Sequence, residues 1–222
     1  MRDYLKQYEG AVGASASIVT IAQFFSPVLI IKQIVQQGNT KNVDPTPFVG
    51  GIGMGLLFLR DGLMLGDGPM TIVNIVALAL NAIYLLLFLS YHDDKAKVLS
   101  QFQKCTFGAL AIIAYTFLDP GKERVAQIYG ICITGLMFAL ISAPLIDLKN
   151  ILRERDTRSL PFPMILSGTI VTMNWLVYGI IIDNGFMIVQ NVVGLILSAS
   201  QLSLFVICPL LKRMDEDKKK AL

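Results

Sequence analysis

Apolar residues fill seven stretches of the chain, at 11–31, 48–66, 70–90, 105–118, 126–147, 162–182 and 186–208, each bounded by a short polar or charged segment. Roughly 17–25 mostly apolar residues carry an α-helix across a bilayer. The pattern therefore predicts seven transmembrane helices, the fourth of them short and weak. The joining loops are brief and leave no room for a soluble enzyme domain. The first stretch follows MRDYLKQYEG, which mixes acids with bases and lacks a small-residue cleavage site of the A-x-A kind. It is read as a retained helix and not as a removed signal peptide.

The same pattern occurs twice. At an offset of 117 residues, Pro27 pairs with Pro144, Lys32 with Lys149, Thr40 with Thr157, Gly62 with Gly179, Met70 with Met187, Asn74 with Asn191 and Leu87 with Leu204. SPVLIIKQI answers to APLIDLKNI, and TPFVGG to LPFPMI after a slip of three residues. Two three-helix units joined directly would face opposite ways, because each has an odd number of crossings. The fourth stretch supplies the crossing that restores a common orientation. The expected fold is an all-α integral membrane protein with seven transmembrane helices as a parallel 3+1+3 repeat. Its parts are a first repeat at 10–92, a linker helix at 103–120, a second repeat at 125–210 and a cytosolic tail at 211–222. Parallel repeats of this kind place a binding site at the interface between units.

Composition agrees with this picture. The chain of 222 residues is 54% hydrophobic and 16% charged, against about a quarter charged in soluble domains. Lys and Arg sort by side: fourteen lie in the loops at 32–47, 91–104 and 148–161 and in the tail from 209, and five (Arg2, Lys6, Arg60, Lys122, Arg124) on the opposite side. The asymmetry places the N-terminus outside, extracellular or lumenal, and the C-terminus in the cytosol. It also explains the tail KRMDEDKKK and the net charge of +3 as topology-setting, with no nucleic acid as partner. Cys105, Cys132 and Cys208 all fall in apolar stretches and His92 is the single histidine, so no disulfide framework, metal site, cofactor or catalytic centre is expected.

Asn74 and Asn191 each sit early in an oily helix, where an unpartnered amide costs several kcal/mol. Interhelical glue is one explanation. The duplication favours another, since a pseudo-two-fold axis would turn both amides toward one cavity, and facing carboxamides suit neutral hydroxyls better than ions. Asn81 and Ser198 lie deeper and read as glue. Trp175 pairs by offset with Phe58, and two aromatics flanking two amides would form a slot for a hexose or disaccharide. For Trp175, anchoring at the membrane interface is the competing role.

The proline-bearing SPVLIIKQI and APLIDLKNI, LPFP after a basic loop, NWLVYG, and the two N-x6-[NS] figures at 74–81 and 191–198 together resemble the SWEET sugar transporters, in their saliva-type animal branch. The likeness runs over about residues 10–210. It implies a small neutral sugar as substrate and pocket roles for Asn74, Asn191 and Trp175. Phe58 stands where some plant members carry a small hydroxyl residue. The resemblance also implies an inner gate hinged on Pro27, Pro47, Pro144 and Pro161. Pro27 and Pro144 lie inside their helices and kink them, whereas Pro47 and Pro161 open theirs, where proline is ordinary. At the outer end the family's usual tyrosine pair is replaced by Asp61 and Tyr178. Arg60 and Asp61 would sit in the interface or pair with each other, or Asp61 would bond to Tyr178 or to Asn184 as an outer gate, with Asp183 beside it.

Apart from Arg60, Asp61 and Asp147, the apolar stretches hold no charge. Coupled carriers need an ionisable residue at membrane depth, so a facilitative, bidirectional uniporter working by alternating access is expected, in the plasma membrane or the Golgi. Units of seven helices commonly associate, which makes a homo-oligomer an open option. A seven-helix receptor would explain the helix count but not the repeat, and a non-transporting trafficking scaffold on the same fold would not account for polar residues at the pocket positions. A PQ-loop amino-acid carrier would need a Pro-Gln pair where Pro27-Val28 and Pro144-Leu145 stand.

Overall fold

The computed structural model describes residues 2–41, 43–118, 122–154, 157, 160 and 162–220. All regular structure among them is helical: α1 (Arg2–Lys6), α2 (Glu9–Phe24), α3 (Val28–Gln37), α4 (Thr46–Leu65), α5 (Gly68–Tyr91), α6 (Lys95–Leu118), α7 (Lys122–Glu154), α8 (Phe162–Ile182) and α9 (Gly185–Lys220). Helices α2 and α3 together make one membrane span, Glu9–Gln37. Five further spans are Thr46–Leu65, Gly68–Tyr91, Glu123–Ile141, Phe162–Ile182 and Gly185–Leu210. With α6 as the less apolar seventh crossing, the order is three, one, three. The chain is an all-α integral membrane protein. Two boundaries differ from those drawn on hydropathy. The linker helix starts at Lys95 and not near 103, because its first turns carry Lys95, Lys97 and Lys104, which hydropathy discards but helix formation tolerates. Helix α9 continues through Pro209 to Lys220, so the tail extends the last span as helix.

The first span divides at Pro27. Proline has no N–H and cannot reach back to Gln23, and the backbone responds by tightening: Phe25, Ser26, Val28 and Leu29 each donate to the carbonyl three residues earlier. That shift leaves the Phe24 carbonyl without a main-chain donor. The Tyr84 hydroxyl of α5 fills it at 2.9 Å. Tyr84 is buried against Phe48, ring centroids 6.0 Å apart, in a core shared with Ile31, Ile34, Val49, Ile52, Leu85, Phe88 and Val98. Since hydrocarbon offers no replacement donor, Tyr84→Phe should lower stability by about 1 kcal/mol, read as a fall in the thermal midpoint in detergent. Helix α7, by contrast, runs through Pro144 as one continuous helix. The side chain of Pro144, and Pro161 entirely, lie outside the described residues.

The clearest structural rhyme joins two turns. Helix α4 ends at Gly66, left-handed at φ 68°, and Asp67 caps α5 by accepting from the Met70 N–H at 2.7 Å. Helix α8 ends at Asp183, also left-handed at φ 61°, and Asn184 caps α9 by accepting from the Met187 N–H at 3.0 Å. A left-handed residue followed by an Asx cap reverses the chain while satisfying the exposed donors of the next helix. Within each turn the capping residue's own N–H returns to a glycine carbonyl, Gly62 at 2.9 Å in one and Gly179 at 3.0 Å in the other. All four pairs of equivalents are 117 residues apart.

The chain folds as two compact units, one of Met1–Ala16 with Thr134–Leu222 and the other of Ser17–Ile133. The second unit holds α3 to α6 around the core just named and a further cluster of Leu57, Ala109, Tyr129 and Ile133. In the first unit α8 packs along α9, α1 rests on α8, and Gln190 donates to Thr134 at 2.7 Å, tying α9 to α7.

Candidate functional site

Asn74 and Asn191 are partnered in the same way. Each amide N–H donates to the carbonyl four residues back, Asn74 to Met70 and Asn191 to Met187, at 2.8 Å in both cases. This answers the cost of burying them, because the back-bond is made on their own helix and needs no neighbour. It also fixes their rotamers. Each is half-buried, and its carbonyl oxygen and second N–H have no further hydrogen bond among the described residues. A preset amide with one free acceptor and one free donor can accept from one hydroxyl and donate to another.

Asn81 also back-bonds, to Ala77 at 2.8 Å, but its carboxamide lies over Gly51 of α4, where an added Cβ would come within 2.5 Å of Oδ1. Its role is helix packing. Trp175 meets the buried Tyr178 edge to face, centroids 5.6 Å apart. The pair holds the indole at a fixed angle, one turn from its neighbour on α8. Phe58 packs against the Leu57, Ala109, Tyr129 and Ile133 cluster. Asn74, Phe58 and Asp61 therefore belong to one unit, and Trp175, Tyr178, Asn184 and Asn191 to the other.

The prolines take distinct local roles. Pro27 sits at the break between α2 and α3, and Pro47 lies in the first turn of α4, where a missing N–H costs nothing. Asn184 is engaged as the cap of α9.

Arg60 does not turn to Asp61. Its Nε donates to the Thr116 hydroxyl of α6 at 2.9 Å, and its guanidinium lies 4.4 Å above the Phe117 ring. Thr116 passes the bond on to the Ile113 carbonyl at 2.7 Å. Only a flat guanidinium can donate sideways from Nε and stack at once. Arg60→Lys should therefore cost about 1 kcal/mol of stability, and Thr116→Val a similar amount, both measurable as loss of monodisperse protein on heating. The sequence could not show this tie, since nothing in the spacing of Arg60 and Thr116 marks them as neighbours. Asp61 is left half-buried, with no hydrogen bond or ion pair among the described residues.

The chain matches the family model described as "Sugar efflux transporter for intercellular exchange" twice, over residues 10–96 and 127–213. It is 32% identical over 202 residues to sugar transporter SWEET1 of Drosophila pseudoobscura pseudoobscura, covering 89% of this chain and 88% of that one. It is 28% identical over 217 residues to bidirectional sugar transporter SWEET14 of Arabidopsis thaliana, covering 93% and 76%. A solved structure of a eukaryotic SWEET transporter superposes with a TM-score of 0.83 at 23% identity, over 93% of this chain and 99% of that one, and so shares the fold. These relatives are named as transporters and not as enzymes. With two family matches falling on its two halves, this chain belongs to the SWEET family of sugar transporters.

Proposed function

We propose that the protein is a facilitative, bidirectional uniporter for a neutral mono- or disaccharide, working by alternating access between two three-helix repeats at 10–92 and 125–210, with 103–120 as linker and 211–222 as a cytosolic tail. The observation that carries the reading is the duplicated amide: Asn74 and Asn191 hold the same back-bond at the same length, each with a donor and an acceptor to spare. A sugar presents hydroxyls that both donate and accept, and its C–H face suits an aromatic ring, for which Trp175 and Phe58 are the candidates. A relative is named a bidirectional sugar transporter. Scarcity of ionisable groups along the spans supports uniport over coupling.

In this reading Pro27, Pro47, Pro144 and Pro161 are hinges of the inner gate, and Asp61, Tyr178 and Asn184 are outer-gate residues. The positive-side asymmetry supports an extracellular or lumenal N-terminus and a cytosolic C-terminus, in the plasma membrane or the Golgi. Proteoliposomes holding the purified chain test the proposal. Labelled glucose or sucrose should equilibrate in either direction and stop at equal concentration on both sides. Accumulation above the outside concentration that collapses with a protonophore would rule out uniport, and absence of flux for every sugar tried would rule out transport.

A further inference from the structure

Within the compact unit of Met1–Ala16 and Thr134–Leu222, Ser15 Oγ of α2 donates to the Asn174 side-chain carbonyl of α8 at 2.7 Å. The Asn174 amide is preset, because one of its N–H groups back-bonds to Ile170 at 2.8 Å and leaves Oδ1 for Ser15. The bond is not sealed between the helices: Ser15 is exposed and Asn174 half-buried. Asn174 keeps one N–H and one lone pair, and Ser15 Oγ keeps its lone pairs, with no further hydrogen bond among the described residues.

These groups lie well inside the spans. Ser15 is six residues past the start of α2 and Asn174 eight before the end of α8, about 9 and 12 Å from those helix ends. Asn191, six residues past the start of α9, is at a similar depth in the same unit. Hydrocarbon offers such groups no partner, so polar atoms that reach the surface at this depth belong on a water-filled path. Asn174 and Tyr178 are four residues apart and share a face of α8, and the Trp175 ring meets Tyr178 edge to face at 5.6 Å. The indole therefore leans toward the Asn174 side. A carboxamide and a hydroxyl beside an aromatic ring match a saccharide, which brings hydroxyls for the first two and a C–H face for the third.

The repeat adds an asymmetry. The positions 117 residues from Ser15 and Asn174 are Cys132 and Leu57. Leu57 is 2% exposed, and it is its main-chain carbonyl that is bonded, accepting the Tyr129 hydroxyl at 2.8 Å. The amides of Asn74 and Asn191 occur in both halves of the chain, whereas the Ser15–Asn174 pair occurs in one. A sugar has no two-fold axis, so groups present in one half alone are the ones able to tell its hydroxyls apart. We infer that Ser15 and Asn174 form a subsite for a saccharide hydroxyl beside Trp175, and that this subsite sets which sugars the protein accepts. The inference rests on the sugar-transport reading and assigns part of its selectivity to two residues of one unit.

The test uses the full-length protein in detergent and reads the emission of Trp175, the single tryptophan. Glucose, galactose and mannose, each with its monodeoxy forms, are titrated into the parent, Ser15→Ala and Asn174→Ala, with thermal midpoints taken alongside. Ser15→Ala removes no main-chain bond and suits a helix, which keeps at least one variant measurable. Both variants should bind the complete sugar about fivefold more weakly, the loss of one hydrogen bond. At one hydroxyl position, deoxygenation should weaken binding to the parent by about the same factor and leave binding to the variants unchanged, since the partner is already gone. If every deoxy form loses in the variants the factor it loses in the parent, Ser15 and Asn174 only join α2 to α8 and the inference fails. Silence of Trp175 toward all three sugars overturns it as well. Because binding is read without flux, a chain that shows the expected pattern but moves no sugar in proteoliposomes would sink the transport reading alone. One that moves sugar without the pattern would sink the subsite alone.

Discussion

Asn191→Ala and Asn74→Ala should each lower sugar flux about tenfold or more while leaving the protein folded. Each substitution removes a preset donor and acceptor, and two hydrogen bonds to sugar hydroxyls at a net ~0.7 kcal/mol apiece amount to roughly a factor of ten in binding. The fold survives because the amides use only a second lone pair on the Met70 and Met187 carbonyls; the helical bonds to those carbonyls remain. Asn81→Ala is the informative control. Its carboxamide lies over Gly51 between α4 and α5, so its loss should appear in the thermal midpoint and little in flux per folded molecule. Initial rates of labelled glucose or sucrose entry, normalised to monodisperse protein, separate the two behaviours. Unchanged flux in both pocket variants would remove these residues from the site, and a fall in flux that tracked the thermal midpoint would reduce them to glue.

The repeat is legible in the sequence because it is written in residue types with few substitutes. A left-handed turn followed by an Asx cap needs a small set of residues, and LGDGPM and IDNGFM both use that set. Gly62 pairs with Gly179 and Met70 with Met187 for a packing reason, since each glycine lies against its methionine. Helix extents are less legible where helix and hydropathy part company. The Lys-rich opening of α6 is helical without being apolar, and α9 carries its helix past the bilayer into a charged segment.

Contacts between distant segments are not legible at all. Arg60 reaches Thr116, Tyr84 the orphaned Phe24 carbonyl, and Tyr129 the Leu57 carbonyl. Two of these three acceptors are main-chain atoms, and a main-chain carbonyl carries no signature in the sequence. Duplication also misleads by a degree. Pro27 and Pro144 are equivalent in sequence, yet only the first divides its helix, and its orphaned carbonyl is the one supplied with a tyrosine: the position equivalent to Tyr84 is Gln201.

Equivalent glycines should likewise differ in what they contribute to stability. Gly62→Ala should destabilise the protein by about 2 kcal/mol after the helix-propensity gain from Gly to Ala is set against the packing cost, whereas Gly179→Ala should be close to neutral. A Cβ at Gly62 would stand 3.0 Å from Met70 Cβ and 3.1 Å from the Thr71 main-chain nitrogen, atoms fixed to the backbone of α5. Relief requires the two helices to separate, which in a well-packed contact costs about 1–3 kcal/mol. It would also stretch the bond from the Asp67 N–H to the Gly62 carbonyl that closes the turn. At Gly179 the nearest atoms are Cγ at 3.0 Å, Sδ at 3.2 Å and Cβ at 3.3 Å of the Met187 side chain. Methionine has three rotatable bonds and repacks readily, and the gain of roughly 1 kcal/mol in helix propensity from Gly to Ala offsets the remainder. Thermal midpoints of the two variants in one detergent decide the matter. Equal losses would mean that Met187 is held as rigidly as the α5 backbone, and a larger loss at Gly179 would overturn the packing described for the α4–α5 pair.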